Sequence, residues 1–227
     1  MTNPIIVALD VPDQVSALRL VEKLSPVVPF FKIGLQLFTR SGPGVVEAVK
    51  RSGAKVFLDL KYHDIPNTVR HGVESACQLG VDMLTIHLSG GGAMIRAAAE
   101  GGRESSALVL GVTVLTSSNR DTLREIGADW PVEDQVLRLA RLAVENRVTG
   151  LVASPLEVSL LRQVFGGALT IVTPGVRPAW AEANDQQRTM TPKAAMDAGA
   201  DYLVIGRPIT GQPNPREAAE RILAELV

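Results

Sequence analysis

Four charged side chains have the types and spacing needed for proton transfer. Asp59, Lys61 and Asp64 follow one apolar run, and Lys32 lies inside another, Phe30–Leu35. Side chains alternate along a strand, so Asp59 and Lys61 are expected on one face. Charges on an apolar strand are costly to bury unless they pair, so Lys32 is expected to face Asp59 if the two strands are neighbours. A structural salt bridge is the alternative interpretation.

The neighbouring acids restrict the chemistry available to Lys61. Carboxylates close to an ammonium favour its charged form, so Lys61 is predicted to donate a proton rather than act as a free-amine nucleophile. His63 and His87 with Asp59 and Asp64 could instead form a divalent metal site. Lys61 stands between the carboxylates and competes with a cation, so no metal site is predicted.

Eight short apolar runs alternate with stretches of helical spacing. The runs are Ile5–Asp10, Phe30–Leu35, Lys55–Leu60, Met83–Leu88, Leu108–Leu115, Gly150–Ser154, Leu169–Thr173 and Tyr202–Arg207. Glycines end several helices, and Gly80–Ile86 resembles Gly199–Ile205, as in a repeated helix-to-strand unit. Eight such units near the typical size of about 250 residues predict an α/β fold, a (β/α)8 TIM barrel with residues 1–227 as a single domain. An open doubly wound sheet is the alternative.

Polar residues lie where these strands end. They are Asp10, Asp59, His87, Thr116, Ser154, Thr173 and Arg207. In a barrel the carboxyl ends of the strands form one rim, where active sites lie. Thr116 and Ser154 could bind a ligand there or cap helices. The longest interruptions, Ser117–Trp130 and Gly175–Met190, are candidate ligand loops on the same rim.

Several of these residues suit an anionic ligand. Gly206 and Arg207 close strand eight, and barrels often bind phosphate after strands seven and eight. Arg177 begins the loop after strand seven, and Gln186 lies further along it. Either arginine alone could be a solvated surface residue, but two of them with Gln186 on adjoining rim loops favour an anionic ligand.

Composition excludes several classes of protein. A formal net charge of -1 without a basic run argues against a nucleic-acid surface. No apolar run approaches the roughly 20 residues needed to cross a bilayer, and the first residues carry no basic leader, so a soluble, cytoplasmic protein is expected. The single cysteine, Cys77, excludes an intrachain disulfide.

Taken in order, six motifs resemble the orotidine 5'-phosphate decarboxylase family over the whole chain. They are Ala8–Asp10, Lys32–Gly34, Asp59–Thr68, Val112–Ser117, Thr173–Pro178 and Val204–Ile209. The resemblance implies a homodimeric barrel that converts orotidine 5'-monophosphate to uridine 5'-monophosphate and CO2 in pyrimidine biosynthesis. It implies a lyase that uses no metal or organic cofactor.

The resemblance also implies roles for individual residues. Lys32, Asp59, Lys61 and Asp64 would form a charged network, with Asp64 shared across the dimer interface and Lys61 protonating C6. Asp10 and Lys32 would hold ribose hydroxyls, joined by Asp64 and Thr68 of the partner subunit. Ser154 would bind the pyrimidine edge and Thr116 would lie near the ligand. The phosphate would be held by Arg177, Gln186, Gly206 and Arg207.

Two other functions are compatible with these patterns. A related barrel could use a similar D-x-K-x-x-D motif on a sugar phosphate, as a Mg2+-dependent decarboxylase or aldolase-type enzyme. A nucleotide-binding barrel could keep the phosphate site without turnover. Sensitivity to chelation separates the first alternative from the cofactor-free decarboxylase.

Overall fold

Eight parallel strands close into a barrel in the computed structural model, which describes residues 3–181 and 190–226. The strands pair in chain order, and β8 returns to pair with β1. Their bounds are β1 Ile5–Ala8, β2 Phe30–Gly34, β3 Lys55–Tyr62, β4 Met83–His87, β5 Leu108–Val112, β6 Gly150–Val152, β7 Thr170–Thr173 and β8 Tyr202–Ile205. The predicted barrel is therefore confirmed, and the open sheet is excluded.

Helices surround the strands. They are α1 Gln14–Leu24, α2 Leu35–Ser41, α3 Gly44–Arg51, α4 Pro66–Gln78, α5 Gly91–Gly101, α6 Arg120–Glu125, α7 Val132–Glu145, α8 Val158–Phe165, α9 Pro192–Asp197, α10 Arg207–Thr210 and α11 Pro215–Ala224. Short 3-10 turns cover Leu88–Gly90 and Pro155–Glu157. Within the described ranges, no helix is long and apolar enough to cross a membrane.

Apolar side chains fill two layers because the strands are buried on both faces. Ile6 and Ala8 of β1 belong to a small core inside the barrel, with Phe30 and Phe57 of the next strands. Ile5 and its alternate neighbours point outward into the larger core beneath the helices. This double burial explains why the strands are continuous apolar runs in the sequence.

The strand ends differ from the predicted ones. β1 and β5 stop two and three residues early, at Ala8 and Val112, because the chain leaves the ladder once it reaches the rim. β3 instead continues to Tyr62, beyond the predicted end at Leu60. The predicted loop Ser117–Trp130 contains α6.

The repeated sequence unit forms the same structure twice, at the end of the barrel opposite the polar rim. In the first copy, Asp82 Oδ2 accepts hydrogen bonds from Val56 N and Lys50 Nζ, both at 2.8 Å. Asp82 N donates to Val56 O in return, at 2.8 Å. Gly80, at φ 72°, lets the chain turn from α4 into this arrangement.

The second copy follows α9. Asp201 Oδ2 accepts from Ile171 N at 2.6 Å and from Arg162 Nη2 at 2.5 Å. Arg162 also donates from Nε to Gly199 O at 2.8 Å and from Nη1 to Leu169 O at 2.6 Å. Each aspartate therefore joins the start of its own strand to the preceding strand and to the helix before that strand, α3 or α8.

Candidate active site

Asp59 lies at the centre of a charged cluster on the rim. Lys61 Nζ donates to its Oδ1 at 2.8 Å, and Lys32 Nζ lies 3.5 Å from its Oδ2. Lys32 Nζ also lies 3.2 Å from Asp10 Oδ1. The side chains of Lys32 and Asp59 are only 11% and 13% exposed, so these charges interact with little screening by water.

Pairing between β2 and β3 brings the two lysines to the same carboxylate. Gly34 is the register partner of Asp59, two positions after Lys32. A Cβ atom on Gly34 would lie 3.0 Å from Lys32 Nζ and 3.5 Å from Asp10 Oδ1. The glycine therefore leaves room for the Lys32 ammonium group, a role that was not predicted from the sequence.

The end of β3 is irregular. Leu58 pairs with Leu84, but Tyr62 pairs with Ile86, so β3 advances four positions while β4 advances two. Lys61 has φ 53°, in the left-handed region that costs a non-glycine residue roughly 1–2 kcal/mol. The predicted pairing of Asp59 with Lys61 is present at 2.8 Å, but the strand between Leu58 and Tyr62 is bulged and does not alternate regularly.

Thr85 of β4 lies against this bulge and was not predicted as a site residue. It is completely buried. Its hydroxyl accepts a hydrogen bond from Lys61 N at 2.9 Å and donates one to Asp59 Oδ1 at 3.0 Å. The sequence feature that could have indicated this role is the hydroxyl of Thr85 inside the otherwise apolar start of the strand Met83–His87.

The electrostatics favour a charged Asp59. Burial raises its pKa, but the charges of Lys32 and Lys61, with hydrogen bonds from Lys61 and Thr85, bring the pKa below its ordinary value of 3.8. Asp59 is therefore a carboxylate at neutral pH. It holds an ammonium group at the mouth of the barrel, where that group can stabilise negative charge or deliver a proton.

Two histidines border the cluster without forming a metal site. The rings of His63 and His87 lie 5.6 Å apart between centroids. Burial lowers the pKa of His87, and the charges of His63 and Lys61 lower it further. Residues 3–181 and 190–226 contain no group of three or more His, Cys, Asp or Glu that could hold a metal ion. The set with Asp59 and Asp64 is thus not assembled.

A cavity of about 300 Å³ opens beside the cluster. Lys32, Asp59, Lys61 and Thr116 line it with apolar residues, among them Phe57 and Val152. This volume is within the usual range for small-molecule sites. A larger groove of about 650 Å³ lies outside the barrel beside α4 and α5, and none of the predicted site residues lines it. The rim cavity is therefore the candidate active site.

Two arginines lie on the other side of the rim. Burial lowers the pKa of Arg177, and the charge of Arg207 lowers it further. Arg177 Nη1 donates to Val176 O at 3.0 Å, while its buried Nε has no hydrogen-bond partner in the part of the chain that the structure describes. A Cβ atom on Gly206 would lie 3.6 Å from Asp10 Oδ2, which connects this region to the charged cluster. Two nearby guanidinium groups are a favourable site for an anion.

Ser154 does not line the cavity. It is completely buried, and its side chain accepts from Leu156 N at 3.3 Å as the cap of the 3-10 turn. The adjacent Ala153 lines the cavity instead. The observed contact of the Ser154 hydroxyl is therefore the helix cap given as one of its two interpretations from the sequence.

Asp64 and Thr68 are exposed at the start of α4. Asp64 Oδ1 accepts from Ile65 N at 2.6 Å, and Asp64 forms no ion pair with any residue in the described ranges. The single chain therefore unites three of the four predicted network residues. Gln186 lies outside the described residues.

A family model, curated sequences and a solved structure each match this chain over almost its whole length. The model of the Orotidine 5'-phosphate decarboxylase / HUMPS family matches residues 3–222. An orotidine 5'-phosphate decarboxylase of Syntrophotalea carbinolica is 53% identical, with 98% of this chain and 94% of the relative covered. One from Moorella thermoacetica is 51% identical over 99% and 92%. The crystal structure of the Lactobacillus acidophilus orotidine 5'-phosphate decarboxylase is similar at a TM-score of 0.87 and 39% identity, covering 98% of both chains.

Proposed function

Because the chain belongs to the orotidine 5'-phosphate decarboxylase family, we propose that it converts orotidine 5'-monophosphate to uridine 5'-monophosphate and CO2. It is a carboxy-lyase of pyrimidine biosynthesis. The observation that carries this function is the Lys32–Asp59–Lys61 array at the edge of the rim cavity.

Lys61 performs the proton transfer in this reaction. As the bond between C6 and the carboxylate breaks, CO2 leaves and the electron pair stays on C6. A fixed ammonium directed at that carbon stabilises the developing charge. Nζ then gives a proton to C6, and Asp59, 2.8 Å from Nζ, keeps the lysine in place.

Asp59 also faces the substrate carboxylate in this proposal. Two like charges about 4 Å apart repel by about 4 kcal/mol at an effective dielectric constant near 20. Enzymes generally lower barriers by roughly 8 to 23 kcal/mol. Repulsion is therefore insufficient alone, and Lys61 with remote phosphate binding supplies the larger part.

The phosphate binds between Arg177 and Arg207, beside Gly206. Arg177 Nε is buried without a hydrogen-bond partner among the described residues, and the two guanidinium groups repel each other. Both observations support this position, because an anion would relieve both. Gln186 is proposed as a further phosphate ligand from the sequence motif alone.

Ribose and base occupy the space between this phosphate and Lys61. Asp10, which is 59% exposed and paired with Lys32, binds ribose hydroxyls together with that lysine. Thr116 contacts the ligand from the cavity wall. Ser154 is proposed to hydrogen-bond the pyrimidine edge from the family motif alone, since its side chain is buried and the adjacent Ala153 lines the cavity.

A homodimer completes the site. Asp64 and Thr68 lie exposed on the rim, and the neighbouring Ile65 is 67% exposed despite its apolar side chain. Exposed apolar surface beside polar groups is typical of interfaces. We propose that Asp64 and Thr68 enter the site of the partner subunit. A cytoplasmic location stays a prediction from the sequence.

Loss of orotidine 5'-monophosphate absorbance, followed with and without EDTA, tests the function. Turnover unaffected by EDTA is expected. Turnover abolished by EDTA would favour a metal-dependent enzyme, and no turnover by folded protein would contradict the proposed reaction.

Lys61→Ala is expected to abolish measurable turnover, because it removes both the proton donor and the ammonium that stabilises charge at C6. Uridine 5'-monophosphate should still bind through the phosphate and ribose contacts. Lys23→Ala, at an exposed position on α1, is the matched control. Near-normal turnover by Lys61→Ala would remove Lys61 from the proton transfer.

A further inference from the structure

The bulge in β3 creates a hydrogen-bonding problem at Lys61. Between the pairs Leu58–Leu84 and Tyr62–Ile86, β3 advances four residues and β4 only two. The backbone amides of β3 in this stretch therefore do not all have a regular hydrogen-bond partner on β4. Lys61 is also held at φ 53°, a conformation that a lysine leaves unless its surroundings enforce it.

The Thr85 hydroxyl supplies a hydrogen-bond acceptor for the Lys61 amide and also binds Asp59. Its oxygen accepts from Lys61 N at 2.9 Å, and its proton goes to Asp59 Oδ1 at 3.0 Å. The acceptor role leaves the hydroxyl proton free to point at the carboxylate. The backbone of the lysine and the side chain of the aspartate are thus joined through a residue on a different strand.

We propose that Thr85 is a positioning residue for the decarboxylation, whose hydroxyl holds the Lys61 backbone and the Asp59 carboxylate in one arrangement. The inference rests on the proposed function. Asp59 Oδ1 accepts from both Thr85 Oγ1 and Lys61 Nζ, so a shift of the carboxylate also moves the ammonium. Small displacements of reacting groups can cost about a hundredfold in rate.

A purely structural role for Thr85 makes a different prediction. If Thr85 only fills the barrel, valine, which has nearly the same shape, should replace it without effect on turnover. Serine, which keeps the hydroxyl but loses the methyl group, should then be the worse substitution.

The experiment compares Thr85→Val with Thr85→Ser. We expect Thr85→Val to lower kcat by about tenfold to a hundredfold, with KM and the Kd for uridine 5'-monophosphate within about twofold of wild type. Thr85→Ser should recover most of kcat. Thr113→Val is the matched control, because Thr113 is also a buried threonine but donates to Val152 O at 3.0 Å.

Hydrogen exchange at the Lys61 amide gives a readout independent of activity. The amide should be protected in wild type and Thr85→Ser, and should exchange faster in Thr85→Val. If Thr85→Val does not fold, Thr85→Ala takes its place in both measurements.

Two results would overturn the proposal: a kcat for Thr85→Val equal to that of Thr113→Val, or unchanged protection of Lys61 N. If wild type itself lacks decarboxylase activity, the proposed function fails, and the exchange measurement still decides whether Thr85 holds the Lys61 backbone.

Discussion

At the scale of single residues, the rim charges are stabilised because both oxygens of Asp59 face donors. Oδ1 meets Lys61 and Thr85, and Oδ2 faces Lys32. The sequence predicted the lysines, since charges inside apolar runs demand partners. It did not predict Thr85, because a threonine is ordinary in a strand and its role depends on the bulge of a neighbouring one.

His87 should make stability depend on pH near neutrality. Burial, then His63 and Lys61, lower its pKa below the ordinary value of 6.5 in the folded chain. The unfolded chain therefore binds a proton at higher pH, and folding is weakened as pH falls through about 6.5. Asp59 contributes little to this loss, because its pKa is 3.8 in the unfolded chain and lower in the folded one, so its contribution to stability is lost at more acidic pH.

Urea unfolding at about pH 7.5 and about pH 5.5 measures the effect. His87→Asn should lose less free energy of unfolding on acidification than wild type. His71→Asn, on the exposed face of α4, should keep the wild-type dependence. A full pH slope in His87→Asn would show that other groups are responsible.

At the scale of elements, apolar runs and terminal glycines predicted all eight strands because the barrel buries both faces of each strand. The strand ends were less predictable, since they depend on where pairing stops, as at Ala8 and Val112. The bulge after Leu58 was not predicted. It is a change in the register between β3 and β4, and such a change produces no residue pattern within either strand.

The Arg162–Asp201 unit should contribute to stability and not to turnover. Asp201→Ala removes the acceptor of Ile171 N and of Arg162, and hydrogen bonds to charged groups are worth about 1.5–3 kcal/mol each. Because the Asp201 side chain is 43% exposed, water offsets part of both bonds, and we expect a loss of about 2 kcal/mol in the free energy of unfolding, with kcat unchanged. Denaturant unfolding and activity assays check this, with the exposed Asp197→Ala on α9 as control. A large fall in kcat at equal fold content would contradict the separation.

At the scale of the whole molecule, the closed barrel brings Lys32, Asp59 and Lys61 to one rim but leaves Asp64 outside the cluster. The sequence could predict the rim, because strand ends converge in any barrel. Whether Asp64 reaches a second chain depends on surface complementarity, which local patterns do not encode.

Mixed variants test the proposed sharing of Asp64 between two subunits. In an Asp59→Ala/Asp64→Ala heterodimer, one site recovers both acids and the other lacks both. Random pairing makes about half of the dimers heterodimers, so about a quarter of wild-type activity should return. Mixing Asp59→Ala with Lys61→Ala should restore none, since both residues act in their own chain. A verified Asp59→Ala/Asp64→Ala heterodimer without activity would rule out sharing.

The left-handed backbone at Lys61 also limits how this chemistry could be transplanted. A D-x-K-x-x-D motif grafted onto a regular strand would present its lysine in another direction, because the direction is set by φ 53° and by the hydroxyl on β4. For protein design, the smallest unit that preserves the direction of this lysine is therefore the pair of strands β3 and β4, bulge included, and not the six-residue motif.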